Sequence, residues 1–395
     1  MLQVHRAPVV LPISAPPIID GAILTQDGAI VEVGPFVRLR GRGLLQDHEG
    51  AILLPALINS HVHLELSHLA VLGQRQPRQG DMTGWIGELL AARRRCDDDG
   101  STAGRLALDV LHEQGVARVA DIGNLPESAG IGEGHPVRVH FFLEMLGFTP
   151  QSAANALARM QESQADCTSH APYSNHARLL VAAKLRANSR NQIFPIHVAE
   201  SRAEIDLLLD GSGPFRSFLE ERGFWDDSFD PPGCGAVTYL DRLRLLDDKT
   251  LCVHCVHITE DEIALLAARQ ARVCLCPGSN RKLGVGRAPV EKMMRAGIVL
   301  GLGTDSLASN PQLSMWEEMR LLRQDHPQLA PATVLAMATR GGAQCLAAGE
   351  NGELAPGRRA DLIAVHAQGI TAGNADDFLT SAGRNLQVSW VEEAR

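Results

Sequence analysis

Eight short apolar runs recur between Ala56 and Thr304, and each is followed by a longer stretch of different texture. The runs are Ala56–His63, Val116–Ile122, Val137–Glu144, Ala165–His170, Ile193–Val198, Thr250–Val256, Arg272–Cys276 and Ile298–Thr304. The segments between are rich in Ala, Leu and Arg and read as helices, for example Ser174–Ala187, Glu260–Ala268 and Val290–Ala296. Eight strands alternating with helices predict a parallel (β/α)8 barrel, because helices supply the crossovers that parallel strands need. A doubly wound open sheet is the alternative, but no glycine-rich phosphate fingerprint follows the first strand.

The two chain ends have another texture. Ile18–Gly34, IIDGAILTQDGAIVEVG, sets apolar runs on either side of Asp27-Gly28, a hairpin signal. Gly352–Ala367 again reads as turn then strand, so the ends are expected to pair into one small β domain. Two stretches read as loops over a barrel mouth: Leu72–Gly100, which carries Trp85, and Arg222–Gly235, FWDDSFDPPGCG in its body. Their aromatics favour lids over disorder, and surface decoration is the equal alternative.

Composition bounds the function classes. The chain has 395 residues, 45% hydrophobic and 21% charged, enough for one large or two modest domains. A net charge of −9 argues against nucleic acid or an anionic membrane as partner. No apolar run reaches the roughly 18–20 residues that span a bilayer. The start, MLQVHRAPVVLPIS, is broken by Pro8 and Pro12 and does not read as a signal peptide. The eight cysteines are scattered, several in apolar strands, and read as reduced thiols in a cytoplasmic protein. Cys252-Val-His-Cys255 is no zinc ribbon or redox motif in this setting. Alternation along the strand is expected to turn the two thiols to opposite faces.

Chemistry concentrates at the strand ends. In LLPALINSHVHLELSHL, His61 and His63 are spaced i, i+2 and so point the same way. Imidazole is a good ligand for zinc, iron or nickel. His197 in FPIHVAES, His254 in LCVHCVHITE and Asp305 in LGLGTDSLASN end the fifth, sixth and eighth strands, with Glu200 three residues after His197. One such histidine is ordinarily structural. Polar groups at the same end of four strands are costly to bury unless paired or metal-bound.

Together PALINSHVHLELS, SHAPYS (Ser169–Ser174), HVAES, HCVH, CPGSN (Cys276–Asn280), GTDSLASN and GELAPGRRADLIAV resemble the amidohydrolase superfamily, in its branch of adenosine-type, S-adenosylhomocysteine and triazine deaminases. The resemblance spans essentially the whole chain and is nearest in texture to aminofutalosine deaminases. It implies a (β/α)8 barrel over residues 56–346 and a β-sandwich built from residues 1–55 and 347–395. It also implies that His61, His63, His197 and Asp305 ligate one divalent metal, zinc first, with iron, manganese or nickel as alternatives. Glu200 would be the proton-transfer carboxylate and His254 would polarise or orient the attacking water, with Asp305 taking its proton. His170 would contact substrate. His257 would be turned away from His254.

Dinuclear relatives commonly bridge two metals with a carboxylated lysine from strand four. The only lysines here are Lys184, Lys249, Lys282 and Lys292, with Lys184 inside a helical pattern, so one metal is expected. Glu65 shares a face with His61 and His63, and Glu144 ends a strand. Both are candidates for substrate contact or for structural support. Asn280 and Ser309 sit on mouth loops with the same two readings, and Trp85 either stacks on a flat ring or packs a helix.

The expected function is hydrolytic deamination of an amino-substituted heterocycle of purine nucleoside type, such as adenosine, S-adenosylhomocysteine, methylthioadenosine or 6-amino-6-deoxyfutalosine. The alternatives are a cyclic amide, imidazolone or chlorotriazine hydrolase on the same scaffold, and a catalytically dead binding scaffold. The partner is then a small heterocycle, with a homodimer left open.

Overall fold

The computed structural model describes residues 1–76, 78–96, 100–367 and 369–393. Fifteen strands fall into three sheets among them. Eight form two parallel four-stranded sheets. The first holds β6 (Leu57–Val62), β7 (Val116–Gly123), β8 (Arg138–Met145) and β9 (Asp166–Ser169). The second holds β10 (Phe194–Val198), β11 (Thr250–His254), β12 (Arg272–Leu275) and β13 (Leu300–Leu302). All eight coincide with the predicted apolar runs. β6, β10 and β11 are buried at every position, as strands covered on both faces must be.

A few hydrogen bonds link the two sheets at both borders. His197 N–H donates to the His170 carbonyl at 2.9 Å beside β9 and β10. Thr304 and Asp305 N–H both donate to the His61 carbonyl at 3.1 Å beside β13 and β6. Asn59 strengthens that border, giving Nδ2–H to Thr304 Oγ1 at 2.8 Å and taking Thr304 N–H at 3.1 Å. These borders bring His61, His197 and Asp305 together from distant parts of the chain.

The two chain ends do pair, but in one sheet. β1 (Leu2–Val10) pairs with β2 (Ile18–Gln26), and β2 with β3 (Ala29–Pro35). On its other side β1 meets β4 (Leu44–Asp47) at one end and β5 (Ala51–Pro55) at the other. β14 (Leu362–His366) joins β5, and β15 (Gln387–Glu392) joins β14. The strands of the expected β-sandwich domain are hydrogen-bonded in one branched seven-stranded sheet, because β4 and β5 share one edge of the long β1. The β2–β3 turn is the predicted Asp27-Gly28, with φ of 51° and 77°, the left-handed pair a two-residue hairpin requires.

The loop expected over 72–100 is largely corrected to a helix, Met82–Arg95. Asp81 caps it by accepting Gly84 N–H at 2.8 Å, and Arg93, Arg94 and Arg95 complement the dipole in its last turn. Gly84 and Gly87 inside the helix obscured the pattern. Residues 77 and 97–99 of that stretch lie outside the described residues. The 222–235 segment has no regular structure, as expected. Its Trp225 and Phe229 pack at a tilt against Phe148, with ring centroids 5.9 and 5.0 Å away. They join Met82, Tyr173 and Phe215 in an apolar cluster that also includes Ala171, Val256 and Leu283, residues that follow strand ends.

Candidate metal centre

The strand ends deliver the candidate ligands to one point. His61 Nε2 lies 3.2 Å from His197 Nε2, which lies 3.3 Å from His63 Nε2. Asp305 Oδ1 lies 3.7 Å from His61 Nε2 and 3.6 Å from His63 Nε2. Donors held at about 2.0–2.1 Å by a tetrahedral ion sit about 3.3 Å apart. These four contacts are near that value; His61, His63 and Asp305 fall in one cluster of possible ligand atoms, and His61, His197 and His254 in another.

Their chemistry agrees. His197 Nδ1 donates to the His170 carbonyl at 2.9 Å, which leaves its Nε2 as a bare lone pair. Burial lowers the pKa of His61, and burial together with His61 takes His63 down to about 4. Burial, then the neighbouring imidazoles, holds His197 well below the usual range. Burial pushes Asp305 upward, but His61 and His63 outweigh it and hold the carboxyl well below its usual range. At neutral pH the set is three neutral imidazoles and one carboxylate, all buried, with too few protons to satisfy one another. A divalent cation is the partner such a set lacks.

A second layer fixes these groups. Ser279 and Ser309 hydroxyls donate to Asp305 Oδ2 at 2.6 and 2.7 Å. His254 Nε2 lies 3.5 Å from Glu200 Oε1, and its Nδ1 donates to Asn280 Oδ1 at 2.9 Å. Burial raises Glu200, so its carboxyl keeps a proton to higher pH than an exposed glutamate. His170 Nδ1 is held by Ser174 Oγ at 2.7 Å, and burial takes its pKa down to about 3.

The backbone here departs from strand geometry. Ala199, His254, Cys255 and Asp305 have φ of 52°, 72°, 51° and 56°, each costing on the order of 1–2 kcal/mol for a non-glycine residue. Cross-strand bonds hold the turns: Cys255 N–H to the Val198 carbonyl at 3.0 Å, and His257 N–H to the Ala199 carbonyl at 2.8 Å. The turns aim Glu200 and His254 at each other. They also break the alternation expected of Cys252 and Cys255. Both residues lie in one buried cluster, and the neighbouring Cys252 thiol together with burial raises Cys255 well above its usual range.

Other sequence candidates are placed as follows. Glu65 Oε2 accepts Asn124 N–H, Leu125 N–H and the Ser128 hydroxyl at 2.9, 3.1 and 2.8 Å, and Oε1 takes Arg93 at 3.1 Å. Its carboxylate is thus engaged in holding the 124–128 segment. Glu144 Oε2 accepts Asn124 Nδ2–H at 2.8 Å, while Oε1 lies 3.6 Å from His197 Nδ1. Burial pushes Glu144 up to about 8. Trp85 donates Nε1–H to the Ala308 carbonyl at 3.2 Å. His257 is turned to the Val285 carbonyl at 2.8 Å. Lys184 is paired with Asp247 at 2.6 Å and Thr250 at 3.0 Å, away from the centre. Sequence reasoning missed Ser279, Glu204 and Glu318. Ser279 lies inside CPGSN, but nothing local marks it as the partner of Asp305.

Three imidazoles and a carboxylate near parallel strand ends suit a hydrolase of α/β architecture that uses a divalent metal. The family follows from the chain itself: residues 52–387 match the amidohydrolase family, and the chain belongs to it. It is 33% identical over 398 residues to the 5-methylthioadenosine/S-adenosylhomocysteine deaminase of Nitratidesulfovibrio vulgaris, covering 95% of this chain and 85% of that protein. It is 29% identical over 371 residues to the aminodeoxyfutalosine deaminase of a Nitratiruptor species, covering 89% and 87%. The crystal structure of Helicobacter pylori aminofutalosine deaminase in complex with methylthio-coformycin matches with a TM-score of 0.84 at 26% identity, covering 95% and 96%.

Proposed function

We propose that this chain is a metal-dependent deaminase of an amino-substituted heterocycle of purine nucleoside type, releasing ammonia. The observation that carries the reading is the four-atom ligand set with the buried Glu200–His254 pair, 3.5 Å apart, beside it. The relatives named above act on adenine nucleosides by their names, which supports that substrate class. We read the two linked four-stranded sheets as one closed (β/α)8 barrel over residues 56–346, with residues 1–55 and 347–395 as the second domain. One metal ion fits better than two, since no lysine is near the ligands, and zinc suits the nitrogen-rich set best. Eight free cysteines support a cytoplasmic site. No helix among the described residues is long and apolar enough to cross a membrane.

When bound, the metal lowers the pKa of a water from 15.7 to about 7, making it a nucleophile at neutral pH. Asp305, whose Oδ1 faces the ligand imidazoles, takes the first proton from that water. His254, with its Nδ1–H committed to Asn280, offers a bare Nε2 that orients the water for attack. Glu200 delivers its proton to a ring nitrogen, which makes the adjacent amino-bearing carbon electrophilic. Hydroxide adds to that carbon, Asp305 returns its proton to the amino nitrogen, the C–N bond breaks with ammonia leaving, and the new hydroxyl gives its proton to the Glu200 carboxylate as the carbonyl forms.

The test is one preparation measured twice: metal content by elemental analysis, and ammonia release on a purine nucleoside panel. About one metal per chain with ammonia released supports the reading. Chloride or carboxylate release from a triazine or cyclic amide, without ammonia, replaces it with the hydrolase alternative. No divalent metal after reconstitution removes the catalytic reading altogether.

A further inference from the structure

Behind the metal centre lies a carboxylate that the proposed chemistry does not use. Glu318 sits in the helix Met315–Asp325, 1% exposed. Oε2 accepts Gly278 N–H at 2.7 Å, and Oε1 accepts Asn310 Nδ2–H at 2.8 Å. Among the described residues it has no cationic partner, and burial pushes it up to about 8. A carboxylate without a cation is costly to bury, so its geometry calls for a reason.

Gly278 precedes Ser279 and Asn280, which hold Asp305 and His254. Asn310 follows Ser309, the other hydroxyl on Asp305, and its Nδ2 also donates to the Thr304 carbonyl at 2.8 Å, one residue before Asp305. Space is cleared for this contact: a Cβ on Gly278 would lie 2.3 Å from Glu318 Oε1 and 2.6 Å from Asn310 Nδ2. We infer that Glu318 is a positioning residue of the metal centre, pinning from one helix both segments whose hydroxyls orient the Asp305 carboxylate. The inference rests on the metal-centre reading above and names the residue that keeps the fourth ligand aimed. Outer partners of metal ligands typically change metal affinity or activity by about 10–100-fold when altered.

The experiment is a zinc titration of chelator-stripped protein against a chromophoric competitor, comparing wild type with Glu318→Gln. Gln keeps the length but turns an NH2 towards one of the two donors. Zinc affinity is expected to fall about 10–100-fold, with the unfolding midpoint of the stripped protein unchanged. On a deaminated substrate, kcat falls and KM holds. Affinity within about twofold of wild type overturns the inference, since a pinning contact of this kind is worth more. Should Glu318→Gln fail to fold, Gly278→Ala decides: it displaces the carboxylate from the other side and is expected to weaken zinc equally, and unchanged affinity overturns the inference. Wild type that takes up no zinc overturns the metal reading itself, and no substrate is needed to see the difference.

Discussion

Replacing Glu200 with Gln separates metal binding from proton transfer. The Glu200 carboxyl reaches His254 Nε2 at 3.5 Å, while the ligand contacts run among His61, His63, His197 and Asp305. Its backbone is fixed independently, Glu200 N–H donating to Glu204 Oε2 at 3.0 Å. The variant should therefore keep the fold and about one metal per chain, while the amide has no proton to give to a ring nitrogen. Loss of a positioned general acid costs about 10²–10⁴ in rate, or roughly 3–5 kcal/mol of barrier. The wild-type pH profile should carry a matching limb. Burial raises Glu200, and a general acid works below its pKa, so kcat should fall as pH rises through a value above that of an ordinary glutamate. That limb should vanish in Glu200→Gln. Steady-state ammonia release with elemental analysis on the same samples reads both quantities. Turnover within about tenfold of wild type would refute the proton-donor role. Loss of metal would show Glu200 to be a ligand.

Three further outcomes follow from the same geometry. His61→Ala removes a ligand and should abolish both metal retention, measured by elemental analysis, and ammonia release. Asn280→Ala frees His254 Nδ1 and should lower kcat by about 10–100-fold with metal content unchanged, the cost of losing an orienting hydrogen bond. Glu204 is pushed up to about 8 by burial, so the native state holds a proton that the unfolded chain releases near its ordinary 4.5. Stability should then fall as pH rises from about 4.5 to 8, by about 1.4 kcal/mol per pH unit for this one proton, and Glu204→Gln should flatten that slope in urea titrations.

Local pattern carried much of this protein. The His-x-His spacing needs only the two-residue period of a strand, so the common direction of His61 and His63 was legible. The parallel strands were legible as apolar runs because most of their positions are buried, at every residue in β6, β10 and β11. Asp27-Gly28 was legible because a two-residue turn demands left-handed backbone at both positions. The helix Met82–Arg95 was hidden by its glycines, and the seven-stranded sheet by its branching: nothing in Leu2–Val10 says that it will pair along both edges.

The amino-acid sequence by itself determined which ligands the protein owns and which strand ends they occupy. Tertiary structure alone decided how they face one another. The left-handed turns at Ala199, His254 and Asp305 are unfavourable for their residue types, and they persist because hydrogen bonds from neighbouring strands hold them. Glu204 and Glu318 are ordinary helix glutamates in the sequence. Glu204 takes an N–H from Glu200 only four residues before it, whereas Glu318 takes one from Gly278, 40 residues away, which only packing brings to it. Periodicity is a property of neighbours along the chain, whereas a site such as this is built from residues that meet only when distant strands pack side by side.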